Sequence, residues 1–393
     1  MKEIEEKISL LRLAFGGLTD AELEEVAALT ELRDYPADHI LCQEGAYEEV
    51  FYIIAEGSAA ISKHIGEAEG DRVLRMAGKG DLVGEMALIQ NAPRAATVRA
   101  VGECRVLEMD KPHFETMLKR DDIDVVVIAT PHDRHTEYVI PAAEAGKHLI
   151  IEKPVALTWE EVRRQEEAVR KAGVKTVISF VLRWNPLLMT IDNLIAQGAF
   201  GDIFMIEVDY FHRIWWGPSH WLGTKDHGGT SMLAAGCHAV DALRWFAREE
   251  AREVTAYQVK TDNPNEYPGT TNAIVQFQNG ATGRTTSCFD AQMPYRFNIG
   301  IYGTDGVLRN DQVFAPKLFP GQTDFMKIPT ILPDSGDVAH HPFQGEVSHL
   351  LDCIVEGRRP MPDLEDAART MALCMAADRS AEEGKAVSLD EFK

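Results

Sequence analysis

Long apolar runs are missing from this 393-residue chain. None reaches the ~18 residues that a membrane-crossing helix needs, so no membrane span is expected. Cysteines are few and far apart: six, at 42, 104, 237, 288, 353 and 374, with no C-x-x-C pair. That spacing argues against a disulfide scaffold and a zinc cluster, and it suits a reducing compartment. No metal site is expected. Positive charge is also short. There are 40 Lys and Arg against 62 Asp and Glu, a formal net charge of −22. A field of that sign repels phosphate backbones and anionic lipid, so non-specific binding to nucleic acid or to a membrane surface is not expected. The N-terminal Met-Lys-Glu-Ile-Glu-Glu-Lys mixes charges and lacks a signal-peptide pattern, and a cytoplasmic location is expected. Internal repeats and low-complexity tracts are absent. What remains is ordinary globular composition, 45% apolar and 8% aromatic, at a length that fits two or three domains.

The pattern changes twice along the chain. Residues 3–31 read as two short helical stretches broken at Gly16-Gly17. From 39 to 109 short β-like runs follow one another, punctuated by glycines at 45, 57, 66, 70, 78, 80 and 84. Such spacing reads as a β-barrel or sandwich, closed by a short helix at Lys111–Lys119. From 123 the texture alternates. Ile123–Ala129 is an apolar run suited to a strand buried on both faces, and Leu149–Ile151 and Val174–Phe180 follow it. Helices lie between, one containing Pro141 and one opened by the capping box Thr158-x-x-Glu161 and stopped by Gly173. The order βαβαβ predicts a parallel sheet. After Pro186 come a helix, a strand at Ile203–Tyr210, an apolar helix over 230–247, and β runs at 252–260, 271–278, 281–289 and 295–302. Asn279-Gly280 is a strong hairpin turn, and residues 343–383 are helical. The expected architecture is multidomain: a β-barrel (jelly roll) over 1–119, a partial Rossmann-like α/β segment over 120–182, and an α+β domain with an open antiparallel sheet over 183–393.

Two stretches carry chemistry. In the first, Gly78, Gly80 and Gly84 have the wrong spacing for a dinucleotide loop. A cyclic nucleotide fits better. Arg94 can pair with its phosphate through a bidentate fork, Glu85 can accept the ribose hydroxyl proton, and backbone N–H groups of a tight turn can complete the shell. The run VGEMAL, five residues, then RAATV resembles the phosphate-binding cassette of the cyclic nucleotide-binding domain family over roughly 13–118. The resemblance implies a site at Gly84, Glu85, Ala87, Arg94 and Ala95. The small Ala95 is similar to members that select cAMP.

In the second stretch, Thr130-Pro131 and Lys153 end strands at the C-terminal edge of a parallel sheet, where such folds bind ligands. His238 and Asp241 lie three apart on one helix, so they face similar directions. A histidine there could act as a general base. The segments ATPxxxH, AGKHLIIEKP, RWNP, GGxxxLxxGxHxxD, YGTDG and FxxExxHLLDCI resemble the glucose-fructose oxidoreductase / inositol dehydrogenase / rhizopine-catabolism (Gfo/Idh/MocA) family over about 121–393. The resemblance implies hydride transfer between NAD or NADP and a sugar or polyol, and a homo-oligomer. Lys153 and His238 would be catalytic. Thr130, Pro131, His135 and Glu152 would lie on the nicotinamide side, and Arg183, Asn185 and Asp241 toward the substrate. Two departures stand out. The acidic residue expected four positions before the histidine is Ala234, and no G-x-G-x-x-G turn precedes the parallel strands. Dinucleotide affinity is therefore expected to be weak. The alternative is a non-catalytic cAMP sensor or a gene-fusion product on a dehydrogenase scaffold.

The cassette generates a direct test. Calorimetry with cAMP should give a saturable signal on the full chain, and Arg94→Glu should abolish it. Losing a charge-assisted pair costs about 1.5–3 kcal/mol before repulsion is added. Equal signals from both proteins would contradict the assignment.

Overall fold

Alternating apolar residues and closely spaced glycines fold the first part of the chain into two four-stranded sheets. The computed structural model describes residues 2–14, 20–28, 30–46, 50–64, 71–83, 96–110, 120, 122–218, 220–330 and 342–392. The chain divides into two units, Met1–Asp124 with Ala129–Pro131, and Val125–Ile128 with His132–Lys393.

In the first unit, helices α1 (Lys2–Ala14) and α2 (Asp20–Ala28) precede eight strands: β1 (Glu31–Tyr35), β2 (Ile40–Cys42), β3 (Val50–Glu56), β4 (Ala59–His64), β5 (Asp71–Ala77), β6 (Leu82–Val83), β7 (Thr97–Ala100) and β8 (Cys104–Asp110). They form two antiparallel sheets, ordered β1-β8-β3-β6 and β2-β7-β4-β5. One core is shared by both: Leu41, Val98 and Ala59 come from one sheet, Tyr52, Ile54 and Val106 from the other. Leu11, Leu23 and Ala27 pack the helices against Ile53 and Leu107. The helical stretch expected to 31 ends earlier, and β1 replaces its last residue. Thr30 stops it: its hydroxyl donates to the Ala27 carbonyl at 3.1 Å, and Lys7 Nζ donates to the Thr30 carbonyl at 2.6 Å. Gly57 sits at φ +85°, and a Cβ there would lie 2.4 Å from the Glu103 carbonyl oxygen. The cassette residues Gly84, Glu85, Ala87, Arg94 and Ala95, and the helix expected at 111–119, lie outside the described residues.

The second unit begins with a parallel sheet, β9 (Val125–Ile128), β10 (His148–Ile151) and β11 (Thr176–Ile178), in the order β11-β10-β9. Helix α3 (His135–Glu144) contains Pro141, and α4 (Trp159–Ala172) carries the expected capping box, with Gly173 at φ +69° as its stop. The outer strands are shorter than the apolar runs that announced them. Beyond β11 the chain turns at once, with the Phe180 N–H donating to the Ile178 carbonyl at 2.6 Å. Among the described residues β9 is a terminal strand, and Val127 is 59% exposed on it.

After α5 (Pro186–Ala196) comes the large sheet. Its strands are β12 (Ile203–Phe211), β13 (Ala251–Val259), β14 (Thr270–Phe277), β15 (Thr282–Cys288), β16 (Arg296–Gly303), β17 (Val307–Arg309), β18 (Gln312–Phe314), β19 (Met326–Lys327) and β20 (Val387–Ser388). The order is β19-β18-β17-β16-β12-β15-β14-β13-β20. Every pair is antiparallel except β12 with β15. That exception follows from connectivity: the chain leaves β12 through helix α6 (Cys237–Ala247), adds β13 and β14, and returns through β15 in the starting direction. The burial of alternate residues along β14, Thr271, Ala273, Val275 and Phe277, marks the face covered by α6 and by α8 (Leu364–Glu383). The helical tail is interrupted, with α7 (Phe343–Val355) separate from α8. The opposite sheet face leaves Tyr257 and Ile274 more than half exposed. No helix among the described residues is long and apolar enough to cross a membrane.

Candidate functional site

Lys153 owes its position to the parallel sheet. The Glu152 N–H donates to the Ile128 carbonyl at 2.8 Å, which carries the pairing one residue beyond β10 and delivers Lys153 at the C-terminal edge. Its Nζ donates to the Ala234 carbonyl at 2.8 Å. Ala234 belongs to a single π-turn, Met232–Gly236, that leads into α6. Such local widenings occur mostly at functional positions. The turn fits only because Gly236 has no side chain: a Cβ there would lie 2.6 Å from Ser287 Cβ on β15. His238 stands one turn after Ala234 and is 4% exposed. The lysine, far away in sequence, thus bonds the helix one turn before the histidine.

The walls around His238 were not legible in the motifs. The Phe180 ring meets its imidazole edge-on at 6.1 Å, and the Tyr210 ring lies nearly parallel to it at 6.5 Å. Tyr210 and His212 Nδ1 are 3.3 Å apart at the hydroxyl, and the Tyr295 ring packs against both residues. The signal that could have found Tyr210 is the alternation on β12, where Ile206, Val208 and Tyr210 point to the covered face. Burial pushes the Tyr210 hydroxyl up and the His212 imidazole down. Burial likewise pushes the Cys237 thiol up to about 12, so it is a neutral neighbour rather than a nucleophile.

Glu152 and Glu346 form an acidic pair beside the lysine. The Lys153 N–H donates to Glu152 Oε2 at 3.1 Å, and the Ser179 hydroxyl donates to Glu346 Oε1 at 3.0 Å. Ser179 is itself tied to the Ile151 carbonyl at 2.9 Å. Glu346 is 3% exposed, and its Oε2 has no hydrogen-bond partner among the described residues. Burial, reinforced by the charge on Glu152, pushes the Glu346 carboxyl up to about 8. Burial raises Glu152 too, while the Lys153 charge pulls it back.

Three residues expected toward the substrate have partners within the protein. The Arg183 guanidinium is forked onto Asp241, at 2.8 and 2.7 Å, and reaches Asp366 at 2.7 Å. Arg244 joins the same cluster through Thr370 at 2.9 Å and Asp366 at 3.4 Å. Burial alone would raise the Asp366 carboxyl, yet Arg183 and Arg244 bring it below its ordinary value. Arg183 Nε and Nη2 and both carboxylate oxygens of Asp241 are therefore committed to this cluster. Asn185 Oδ1 accepts the Leu187 N–H at 3.0 Å and caps α5. The helix cap and the ion pairs give each of these residues a structural role.

Of the residues expected near nicotinamide, Glu152 and His135 belong to the second unit. Thr130 and Pro131 fall in the stretch grouped with the first. His135 is fully buried, 6.1 Å from the His132 ring. His132 Nδ1 lies 2.9 Å from the Gly228 carbonyl, and burial followed by the Lys153 charge holds its imidazole well below the ordinary value. A dinucleotide also needs a pyrophosphate cradle. The turn after β9 reads Ala-Thr-Pro-His-Asp-Arg, without glycine, and the parallel sheet has three strands among the described residues. The residues around that turn do not supply the glycine-rich loop that grips the phosphates of a dinucleotide. Among the described residues no group of three His, Cys, Asp or Glu is arranged to hold a metal.

Comparison with known proteins agrees with both motif resemblances. Residues 32–121 match the cyclic nucleotide-binding domain, and residues 188–309 match the GFO/IDH/MocA C-terminal domain. The chain is 26% identical over 279 residues to D-xylose 1-dehydrogenase (NADP(+)) 2 of Haloferax volcanii, covering 70% of this chain and 84% of that protein. It is 26% identical over 283 residues to scyllo-inositol 2-dehydrogenase (NAD(+)) of Bacillus subtilis, covering 70% and 80%. Among solved structures, levoglucosan dehydrogenase in complex with NADH and levoglucosan matches with a TM-score of 0.63 at 25% identity, over 70% of this chain and 82% of that one.

The raised Glu346 carboxyl fixes the sign of a pH effect. The fold favours its neutral form, so between the ordinary glutamate range and about 8 the folded chain holds more protons than the unfolded one. Stability from this group is complete below that window and is lost as pH rises through it. Urea unfolding from pH 5 to 9 should show a steeper decline for wild type than for Glu346→Gln. Parallel declines would contradict the assignment.

Proposed function

We propose that the chain joins a cyclic nucleotide-binding unit of jelly-roll type, selective for cAMP, to an oxidoreductase-type unit that takes a sugar or polyol at Lys153 and His238. The observation that carries the second half is the 2.8 Å bond from Lys153 Nζ to the Ala234 carbonyl, which sets the lysine one turn from the histidine. In this reading Lys153 donates to the reacting oxygen of the substrate, and His238 takes the hydroxyl proton. Phe180, Tyr210 and Tyr295 exclude water around them. Ala234 supplies no acid where relatives are expected to have one, so the pair works without a third group. Arg183, Asn185 and Asp241 hold the helices from behind.

Support for the substrate class comes from relatives whose names specify xylose, scyllo-inositol and levoglucosan. Their cofactors are NAD or NADP. Here Thr130, Pro131, His135 and Glu152 would face the ring, but the missing phosphate turn leaves dinucleotide affinity low. That same absence favours the second reading, in which the unit senses a polyol without turning it over. A scan of sugars and polyols with NAD and NADP, alone and with cAMP, tests the choice. The first reading expects slow turnover, limited by weak dinucleotide binding, that is lost in Lys153→Ala and His238→Ala. No turnover, or turnover that survives both substitutions, would contradict it, and no turnover with a polyol still bound would favour the sensing reading.

The exposed Tyr257 and Ile274 on the open sheet face support self-association. Light scattering at micromolar concentration should report an oligomer, and a clean monomer would contradict it.

A further inference from the structure

The turn Met232–Gly236 decides where the Ala234 carbonyl points, and it is clamped at both ends. After it, Asp241 on α6 accepts the Arg183 fork, and the Thr370 hydroxyl at 3.3 Å. Before it stands Thr230, which is buried. The Thr230 hydroxyl oxygen accepts the Leu233 N–H at 3.2 Å, and the Thr230 carbonyl accepts the Ala234 N–H at 2.8 Å. A helix cap acts in this way, giving partners to N–H groups that have none inside the helix. A hydroxyl has one proton, and where that proton goes decides where its lone pairs point.

Here the proton goes to Asp378. Thr230 Oγ1 donates to Asp378 Oδ2 at 2.6 Å, and Gln258 Nε2 on β13 donates to Asp378 Oδ1 at 2.9 Å. Asp378 is buried on α8, with a donor on each oxygen. Four residues on, Glu382 Oε1 accepts Lys225 Nζ at 2.9 Å, so one side of α8 holds both Lys225 and Thr230, the stretch that enters the turn. From the sheet, the Ser287 hydroxyl on β15 donates to the Ser231 carbonyl at 2.8 Å. A π-turn carries one residue more per turn than the helix it joins, so α6 alone does not fix its register. Asp378 reaches the lysine through three bonds: to the Thr230 hydroxyl, from the Thr230 carbonyl to the Ala234 N–H, and from the Ala234 carbonyl to Lys153 Nζ at 2.8 Å.

We propose that Asp378 is a positioning residue for Lys153: by holding Thr230 it sets the turn whose Ala234 carbonyl receives the lysine. Its bearing on function rests on the reading of Lys153 and His238 as the reacting pair for a sugar or polyol.

Lysine labelling tests the positioning without turnover. The full chain is pulsed with acetic anhydride, and acetylation of Lys153 is followed by peptide mass spectrometry against the exposed Lys171 and Lys327. Lys153 is half-buried with its Nζ committed to Ala234, so labelling requires that bond to open. Asp378→Ala should speed labelling of Lys153 about fivefold relative to the two reference lysines, the equivalent of one ordinary hydrogen bond. Thr230→Val keeps the shape, removes the hydroxyl and should do the same, and the double variant should add little. If Asp378→Ala fails to fold, Thr230→Val carries the comparison. Burial pushes the Asp378 carboxyl up to about 7, so Asp378→Asn, uncharged and of the same shape, should keep labelling slow. An unchanged rate in Thr230→Val or in folded Asp378→Ala, equal acceleration at all three lysines, or acceleration in Asp378→Asn matching that of Asp378→Ala would each overturn the proposal. Calorimetry of the wild-type chain with xylose and myo-inositol separates the two readings. Selective labelling with no polyol bound would uphold the positioning of Lys153 and remove the sugar-or-polyol reading.

Discussion

The Arg183 guanidinium is the buried cation around which the second unit closes. It comes from the turn after β11, at the end of the parallel sheet, and it grips Asp241 on α6 and Asp366 on α8 at once. Its flat face also lies over the Trp245 ring at 5.5 Å. Three elements from distant parts of the sequence are thereby fixed to one point. The fork geometry matters, because a lysine could not satisfy two carboxylates in fixed directions. Taking the cation away would leave two carboxylates buried without their partner, a change that typically costs about 3–5 kcal/mol.

The register of α6 sets the candidate site. Because Asp241 is held by Arg183, His238 one turn earlier is held as well, and the π-turn before it brings the Ala234 carbonyl to Lys153. Gly236 permits that turn to lie against β15, and Phe180 and Tyr210 close over the imidazole. Glu152 and Glu346 add acidic groups that burial keeps closer to neutral than usual. Burial thus makes both carboxyl groups beside the lysine harder to ionise than they would be in water.

Much of this was legible in the sequence, for identifiable reasons. Alternation along β14 and β15, the Asn279-Gly280 turn, and the Thr158–Glu161 capping box are local signals, and local signals survive folding. The parallel βαβαβ segment was legible because short, unbroken apolar runs between helical stretches are what strands buried on both faces require. The roles of Arg183, Asn185 and Asp241 were not. A motif names a residue but not the direction of its side chain, and only tertiary packing turned these toward one another. Tyr210, Tyr295 and Glu346 escaped notice for the same reason: each reaches the site from an element more than 25 residues from the histidine. The β12–β15 parallel pair was likewise invisible to local patterning, since it depends on the path of the whole chain. The cyclic nucleotide cassette was read from its motif and matched by a family model over 32–121.

In the proposed function, the second unit would keep the substrate side of an oxidoreductase-type site without the turn that anchors a dinucleotide. Among the described residues the parallel sheet has three strands and ends at β9, with Val127 exposed, where the phosphate-binding half of such a fold would be expected to continue. Nicotinamide contacts orient a reactive ring, but the pyrophosphate supplies much of the affinity. All six tryptophans, 159, 184, 215, 216, 221 and 245, lie in the second unit and can transfer excitation to bound NADH. The most direct measurement is therefore a titration of the full chain with NADH, followed by quenching of indole emission. No saturation is expected below millimolar concentration, and saturation at micromolar concentration would contradict the loss of the phosphate anchor.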